Sequence, residues 1–196
     1  MLSEVAHPEW ALCLGGADCV WEDVKAWEAL YGRPWDGLVI AANDVGCHWP
    51  RALHHWVSLH PDKLERWMQL RAAQQLSPLE GECWGRIRKS AVKVPYQCVE
   101  PWPGGSSGML AVQVAQVVGC TRAILCGIPL TASPHFGETH EQFHKSWLAA
   151  NGHWKAWPKQ KDKMEGWVRS MSGRTKDLLG APTLLWLQGQ EEVPSV

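Results

Sequence analysis

Several features that are scarce in this chain limit what it can be. Its 196 residues carry a formal net charge of −1, with no excess of either sign, and no apolar run is long enough to span a bilayer. The balanced charge argues against a protein that binds nucleic acid through an overall basic surface. The first residues, MLSEVAHPEW, contain no charged and then apolar leader, so we expect a cytoplasmic protein without a membrane segment.

Phenylalanine and tyrosine are also scarce, with two of each against fourteen tryptophans. Tryptophan therefore takes over the usual aromatic positions of the core, and most of these side chains are expected to pack rather than to bind a ligand. The seven cysteines include no C-x-x-C pair. Cys13, Cys98, Cys120 and Cys126 lie in apolar runs, which predicts buried free thiols in a reducing compartment.

Short apolar runs alternate with stretches of helical periodicity along the chain. Strands are predicted at residues 10–14, 37–42, 55–59, 96–99, 123–126 and 182–187, and helices at 21–30, 63–75, 109–118 and 159–179. This alternation predicts an α/β fold with a single doubly wound, mostly parallel, Rossmann-like sheet, and one domain over residues 1–196. The lid segment, a His- and Trp-rich stretch at about residues 131–158, follows the fifth predicted strand.

A glycine- and serine-rich loop at residues 104–108 precedes the third predicted helix. Its N–H groups and two hydroxyls, with the positive end of the helix, could together hold a phosphate. Gly15-Gly16, Asn43, His60 and Gly127 fall at the carboxyl ends of predicted strands, where parallel sheets bind their ligands. The predicted nucleotide-binding residues are therefore Gly15, Gly16, Asn43, Gly105, Ser106, Ser107, Gly108 and Gly127.

Each of these residues is also compatible with a purely structural role. Tight turns alone would account for the glycines, and an Asx-turn or a helix cap for Asn43. The first loop is not a GxGxxG fingerprint and neither loop contains the lysine of a P-loop, which argues against a nicotinamide dinucleotide enzyme and an ordinary ATPase. Arg169 and Arg174, in the last predicted helix, are either phosphate ligands or part of a solvated basic face.

The segment His140-Glu-Gln-Phe-His144 matches the HExxH pattern of zinc hydrolases, whose two histidines share one helix face. The pattern is short and its surroundings are polar. The metzincin continuation is also missing, because Trp147 and Ala150 stand where glycine and histidine belong. We therefore predict no metal site and keep zinc hydrolysis as an alternative. Any of the lid histidines could also serve as a general base, because histidine titrates near neutrality.

The order of these motifs resembles the Rossmann-like domain shared by bacterial family-42 sialyltransferases and archaeal pterin pyrophosphokinase-like (MptE-like) proteins, a domain also common in phage proteins. There, a first strand ends in a Gly-Asn-Gly-Pro-Ser-like loop, where this chain has Leu14-Gly-Gly-Ala-Asp18. A second strand ends in asparagine, as Ile40-Ala-Ala-Asn43 does. A Gly-Ser-x-Gly loop corresponds to Gly105-Ser-Ser-Gly108, and a strand of the type Ile-x-Leu-x-Gly-Ile-Asp to Ile124-Leu-Cys-Gly-Ile-Pro129, with proline replacing aspartate.

The resemblance implies a nucleotide-bearing ligand and, as in the sialyltransferases, a catalytic histidine in the lid segment, with His153 the best-placed candidate and His135 the second. The resulting hypothesis is a nucleotide-dependent transferase, an inverting glycosyltransferase that takes a nucleotide sugar as substrate and needs no further cofactor. Its acceptor, a glycan or a modified nucleic acid, stays open, and so does a homo-oligomeric state. The alternatives are a non-catalytic nucleotide-binding protein, such as a phage accessory protein, and the zinc hydrolase.

Overall fold

The fold is organised around one parallel sheet. The computed structural model describes residues 10–86, 92–100, 102, 105–138 and 152–190. The strands are β1 (Trp10–Leu14), β2 (Leu38–Ala42), β3 (Leu53–Ser58), β4 (Leu79–Gly85), β5 (Gln97–Cys98), β6 (Arg122–Cys126) and β7 (Val168–Ser170). They follow the spatial order β5-β4-β3-β2-β1-β6-β7, and every neighbouring pair is parallel. The α/β, Rossmann-like sheet expected from the sequence is thus confirmed.

Helices cover both faces of the sheet. They are α1 (Val20–Tyr31), α2 (Leu64–Ala73), α3 (Ser107–Val117), α4 (Lys161–Met164), α5 (Gly173–Leu179) and α6 (Leu184–Leu187). Short 3-10 turns occupy Asn43–Cys47, Pro61–Lys63 and Pro158–Gln160. No helix in the described part of the chain combines the length and the apolar character that a membrane crossing requires.

Alternate residues of the strands point into two separate cores. In β1, Ala11 and Cys13 pack with α3, whereas Leu12 and Leu14 pack with α1 and α2 on the other face. All of α3 from Ser107 to Ala115 is buried. The tryptophans serve packing as expected, and nine of those in the described residues are buried: Trp10, Trp27, Trp35, Trp49, Trp56, Trp67, Trp84, Trp157 and Trp186.

Three predictions from the sequence are wrong, and one strand was not predicted. β4 pairs with β3, but its exposed residues Glu80, Gly81 and Glu82 give no apolar pattern. The helix predicted at 159–179 is broken at Gly166, whose φ of 82° is left-handed, and Val168–Ser170 joins the sheet as β7. The strand predicted at 182–187 is instead the short helix α6, and Cys98 is exposed rather than buried.

The chain changes direction across the sheet at β1. From β1 it moves outward through β2 to β5, and it then returns to place β6 on the other side of β1. The loops that follow β1 and β6 therefore leave from neighbouring strands, and they bind each other: the Gly15 N–H donates to the Cys126 carbonyl at 2.8 Å and the Ala17 N–H to the Gly127 carbonyl at 3.1 Å. Such a switch point is where α/β sheets form their ligand crevice.

The buried carboxylate of Asp23 stabilises this junction between the two loops. Asp23, in the first turn of α1, accepts hydrogen bonds from the Gly127 N–H at 2.8 Å and from the Ser172 hydroxyl at 2.6 Å. The side chain thereby joins α1, the end of β6 and the loop before α5. The negative charge of this carboxylate also interacts favourably with the positive N-terminal end of α1.

Gly15 allows the two loops to approach because it has no side chain. A Cβ on Gly15 would lie 2.4 Å from the Gly127 carbonyl oxygen and 2.4 Å from Ile128 Cγ1. The carbonyl belongs to the backbone and cannot rotate away. We therefore expect Gly15→Ala to lower the free energy of unfolding by about 1–3 kcal/mol, as overpacking of a filled site does, measured by urea denaturation.

Gly152→Ala is the matched control, since a Cβ there meets no heavy atom within 4 Å. Its free energy of unfolding should stay within about 0.5 kcal/mol of the wild-type value. Equal stability of the two variants would show that the two loops do not approach as closely as described.

Candidate functional site

A cavity of about 300 Å³ opens at the carboxyl ends of the strands, beside the switch point. The loops after β1, β2, β3 and β6, the first turn of α3 and part of the lid segment all contribute to its wall. Of the predicted site residues, the wall includes Gly15, Gly16, Asn43, Ser106, Ser107, Gly108, Gly127, His135 and His153. The convergence expected from the strand ends is therefore observed, although a ligand-binding role for these residues stays a prediction.

Asn43 connects three parts of this wall. Its Oδ1 accepts hydrogen bonds from the hydroxyl of Ser58, at the end of β3, at 2.9 Å and from the hydroxyl of Ser107, at the start of α3, at 3.0 Å. These bonds fix the carboxamide, and Nδ2 has no acceptor within the part of the chain that the structure describes. The backbone of Asn43 is left-handed, with φ 60°, a conformation that asparagine tolerates better than most residues.

The predicted anion loop differs in one respect from what its sequence suggests. The Ser106 hydroxyl caps α3 by accepting from the Met109 N–H at 3.4 Å, and the Ser107 hydroxyl both donates to Asn43 and accepts from the Leu59 N–H at 3.3 Å. Both hydroxyls thus already bind protein groups. The first N–H groups of α3, those of Ser107 and Gly108, have no carbonyl of the helix to bind and are the better anion donors.

Gly105 is the one predicted residue that does not line the cavity. Its φ of 95° is left-handed, and a Cβ there would lie 2.6 Å from the sulfur of Met109. The residue shapes the turn that leads into α3, which is the structural role that glycine in a turn commonly has.

His135 is bound on both ring nitrogens. Its Nε2 lies 3.0 Å from Asp44 Oδ1, and its Nδ1 lies 3.0 Å from the carbonyl oxygen of Phe136. Burial by itself would lower the pKa of His135, but the hydrogen bond and the charge of Asp44 outweigh burial and raise that pKa above its usual value. Burial opposes ionisation of Asp44 in the same way, yet the contact with His135 lowers the pKa of Asp44.

The segment that carries His135 is tied to the first glycine loop. Backbone hydrogen bonds join Asp18 N–H to the Pro134 carbonyl at 3.0 Å and Phe136 N–H to the Gly16 carbonyl at 2.9 Å. A Cβ on Gly16 would lie 2.3 Å from His135 Nε2. Gly16 therefore gives the imidazole the room it needs to reach Asp44.

His153 differs from His135 in the hydrogen bonding of its ring. It is half-buried in the cavity wall, and its ring has no hydrogen-bond partner among the described residues. His60, at the end of β3, also lines the cavity. No Asp, Glu, Lys or Arg does so among the described residues, which leaves these three histidines as its ionisable groups.

The residues that hold the site in place carry no recognisable sequence motif. Asp44 follows Asn43 directly, but its partner His135 is 91 residues away in the chain. Arg71 of α2 is 2% exposed and donates to the carbonyls of Gly46, Trp49, Arg51 and Ser77, which secures the segment that follows Asp44. A single helix residue with no motif around it gives no indication of this role.

Other candidates from the sequence lie elsewhere. Arg169 donates to the Leu179 carbonyl at 2.7 Å and packs on the Trp186 ring, and the guanidinium of Arg174 lies 5.7 Å from the Trp154 ring centroid, so neither lines the cavity. The HExxH residues His140, Glu141 and His144 are outside the described residues, within which no group of three potential metal ligands occurs.

This chain is similar to a known protein in fold but not in sequence. No protein-family model and no curated protein sequence matches the chain. Among solved structures, it is similar to the sialyltransferase CST-II in complex with a trisaccharide acceptor and CMP, with a TM-score of 0.54 and 13% sequence identity. The likeness covers 90% of this chain and 87% of CST-II, so the similarity in fold extends over most of both chains.

Proposed function

We propose that this protein is a glycosyltransferase that takes its sugar from a nucleotide-sugar donor. One observation carries the proposal: a single cavity at the switch point combines Asn43, the N-terminal amides of α3 and two lid histidines. The proposal is also supported by the likeness in fold to a sialyltransferase whose structure holds CMP and a trisaccharide acceptor.

In this proposal the donor binds against the Asn43 side chain and the first turn of α3. The two N–H groups of Asn43 Nδ2 are the donors left over after its oxygen has bound Ser58 and Ser107. They suit the carbonyl or ring-nitrogen acceptors of a nucleoside. The phosphate binds the amides of Ser107 and Gly108, where the positive end of α3 favours an anion.

The charge of the wall favours a donor with a single phosphate, such as a nucleoside monophosphate sugar. Diphosphate and triphosphate groups are commonly held by Lys and Arg, or through Mg²⁺ bound to carboxylates. Among the described residues none of these side chains lines the cavity, and its ionisable groups are His60, His135 and His153. Amides and imidazoles match the single negative charge of a phosphodiester better than the higher charge of a diphosphate.

His153 is the proposed general base. The hydroxyl oxygen of the acceptor attacks the anomeric carbon of the donor while His153, whose ring is free of protein hydrogen bonds among the described residues, takes the hydroxyl proton. The bond from the anomeric carbon to the phosphate oxygen breaks, and the nucleotide leaves with that oxygen. A single displacement of this kind inverts the configuration at the anomeric carbon. The proposed acceptor is a glycan.

The first test is nucleotide binding. Thermal-shift measurements with CMP, UMP, UDP, GDP and ATP should raise the melting temperature most with a monophosphate. At 100 times its dissociation constant, a ligand adds about 2.7 kcal/mol to the stability of the folded state. Absence of a shift with every nucleotide would contradict the proposed function.

Asn43→Asp tests where the base or ribose binds. The carboxylate keeps the acceptor for Ser58 and Ser107, but it removes the two N–H donors and adds a negative charge. CMP affinity should fall at least tenfold, or about 1.4 kcal/mol, measured by titration calorimetry. Gln69→Glu makes the same change in charge at an exposed position of α2 and should bind CMP like the wild type. If the two variants bind equally well, Asn43 does not contact the ligand.

His153→Ala tests catalysis. Turnover should fall by about 10²–10⁴-fold, the usual contribution of a general base, while CMP affinity changes little. The assay measures nucleotide release from a panel of CMP- and UDP-sugars with glycan acceptors. Lys155→Ala, an exposed change two residues away, should keep wild-type turnover. If CMP binds but no donor is ever turned over, the non-catalytic nucleotide-binding alternative is favoured instead.

A further inference from the structure

We infer that Asp44 holds the ring of His135 as a fixed imidazolium cation, and that His135 acts on an anionic ligand through this charge rather than by transferring a proton. The inference rests on the proposed function in one respect, since the anion it assigns to the cation is the phosphate of the donor. Asp44 is then a positioning residue that does not itself line the cavity.

The hydrogen-bond partners of the ring decide its protonation. The carbonyl oxygen of Phe136, 3.0 Å from Nδ1, can only accept a hydrogen bond, so Nδ1 carries a proton. Asp44 Oδ1, 3.0 Å from Nε2, also accepts when the carboxyl is ionised, which the lowered pKa of Asp44 favours. Both nitrogens therefore carry protons, and the ring is a cation.

This arrangement leaves the ring without a lone pair for a substrate. A general base needs an unprotonated nitrogen within reach of the proton that it removes. In His135 both nitrogens are bound to protein acceptors, whereas the ring of His153 has no such partner among the described residues. The two histidines predicted from the sequence as catalytic candidates therefore divide into a base, His153, and a fixed positive charge, His135.

Position and rigidity make this charge available to a ligand. The His135 side chain is 29% exposed and lines the same cavity as the first turn of α3. The His135 N–H donates to Glu138 Oε2 at 2.8 Å, and a β-bridge joins His135 to Ala17. A charge held in a fixed position costs little reorganisation when the anion binds.

Titratable groups from several elements surround the His135 ring. Asp44 follows β2 and makes the direct contact, while Glu138 lies on the same loop as His135 and contributes a smaller attraction. His48 packs edge-on against Phe136 and lies close enough to Asp44 to influence it. Among the described residues, the other titratable groups nearby are Asp18 in the loop after β1 and, along the cavity wall, His60 and His153.

Nuclear magnetic resonance on the unliganded protein tests the protonation directly. The nitrogen chemical shifts of His135 followed against pH distinguish an imidazolium from either neutral tautomer, and His135→Gln identifies the resonances. We expect the imidazolium at pH 6 and a titration midpoint above the usual value of about 6.5. Asp44→Asn should lower that midpoint, and Asp18→Asn, an equal change of charge at an exposed neighbour, should leave it in place. A midpoint at or below the usual value in the wild type would overturn the inference without any variant.

Anion binding tests the role of the charge, with inorganic phosphate and CMP as the probes. At pH 6 the dissociation constant of His135→Gln should exceed that of the wild type by about tenfold, because this variant loses the cation and keeps the Asp44 carboxylate, at an intermediate effective dielectric constant. The ratio should approach one as the pH rises above the wild-type midpoint, where the wild-type ring is neutral as well, and Asp18→Asn should keep a ratio near one throughout. A pH-independent ratio would indicate a merely structural effect of His135 and contradict the inference.

The two proposals can fail separately. If inorganic phosphate moves the His135 resonances but no nucleotide binds or is turned over, the proposed function falls and the anion-binding cation stands. If CMP binds while the His135 resonances stay unchanged and His135→Gln keeps the wild-type affinity, the cation is not part of the site and the inference falls. If neither probe perturbs His135, the inference is also wrong.

Discussion

The loops that follow β1 and β6 approach each other so closely that they fix the position of one wall of the cavity. Gly15 and Ala17 donate to the backbone of Cys126 and Gly127, and there is no room for a Cβ on Gly15. Asp23 holds the same junction from α1 by accepting from the Gly127 N–H. β1 and β6 are adjacent and parallel, and the chain continues from them towards different helices. A cavity therefore opens at their carboxyl ends.

Much of the polar chemistry around this cavity is already engaged within the fold. Asn43 Oδ1 binds Ser58 and Ser107, the Ser106 hydroxyl caps α3, and both nitrogens of His135 bind protein acceptors. These bonds hold the remaining groups in place: the Asn43 Nδ2 donors, the first amides of α3 and the charge of the imidazole. Such preorganisation is what a binding site needs if it is to hold an anion without first rearranging.

Predictions from the sequence pattern are correct where neighbouring residues along the chain determine the secondary structure. Gly32 ends α1 in a left-handed conformation, and the apolar runs at β1, β2 and β6 form buried strands, as predicted. The same reasoning failed at residues 159–179, where the helical pattern is interrupted at Gly166 and Val168–Ser170 pairs with β6. A three-residue strand has almost no pattern of its own, and only the neighbouring strand makes it one. β4 has no clear strand pattern for a related reason, since Glu80, Gly81 and Glu82 in its first half are exposed.

The alternation of strands and helices follows from the pattern of apolar residues. From it follow the parallel sheet and the edge at which the glycine loops, Asn43 and the start of α3 meet, because the carboxyl ends of parallel strands lie on one side. Which atoms of these residues remain available depends on the folded arrangement instead. Ser107 and Asn43 are 64 residues apart, and Asp44 and His135 are 91 residues apart. A hydrogen bond or an ion pair between groups so distant in the chain leaves no periodicity to detect, since it depends on the packing that brings the loops together.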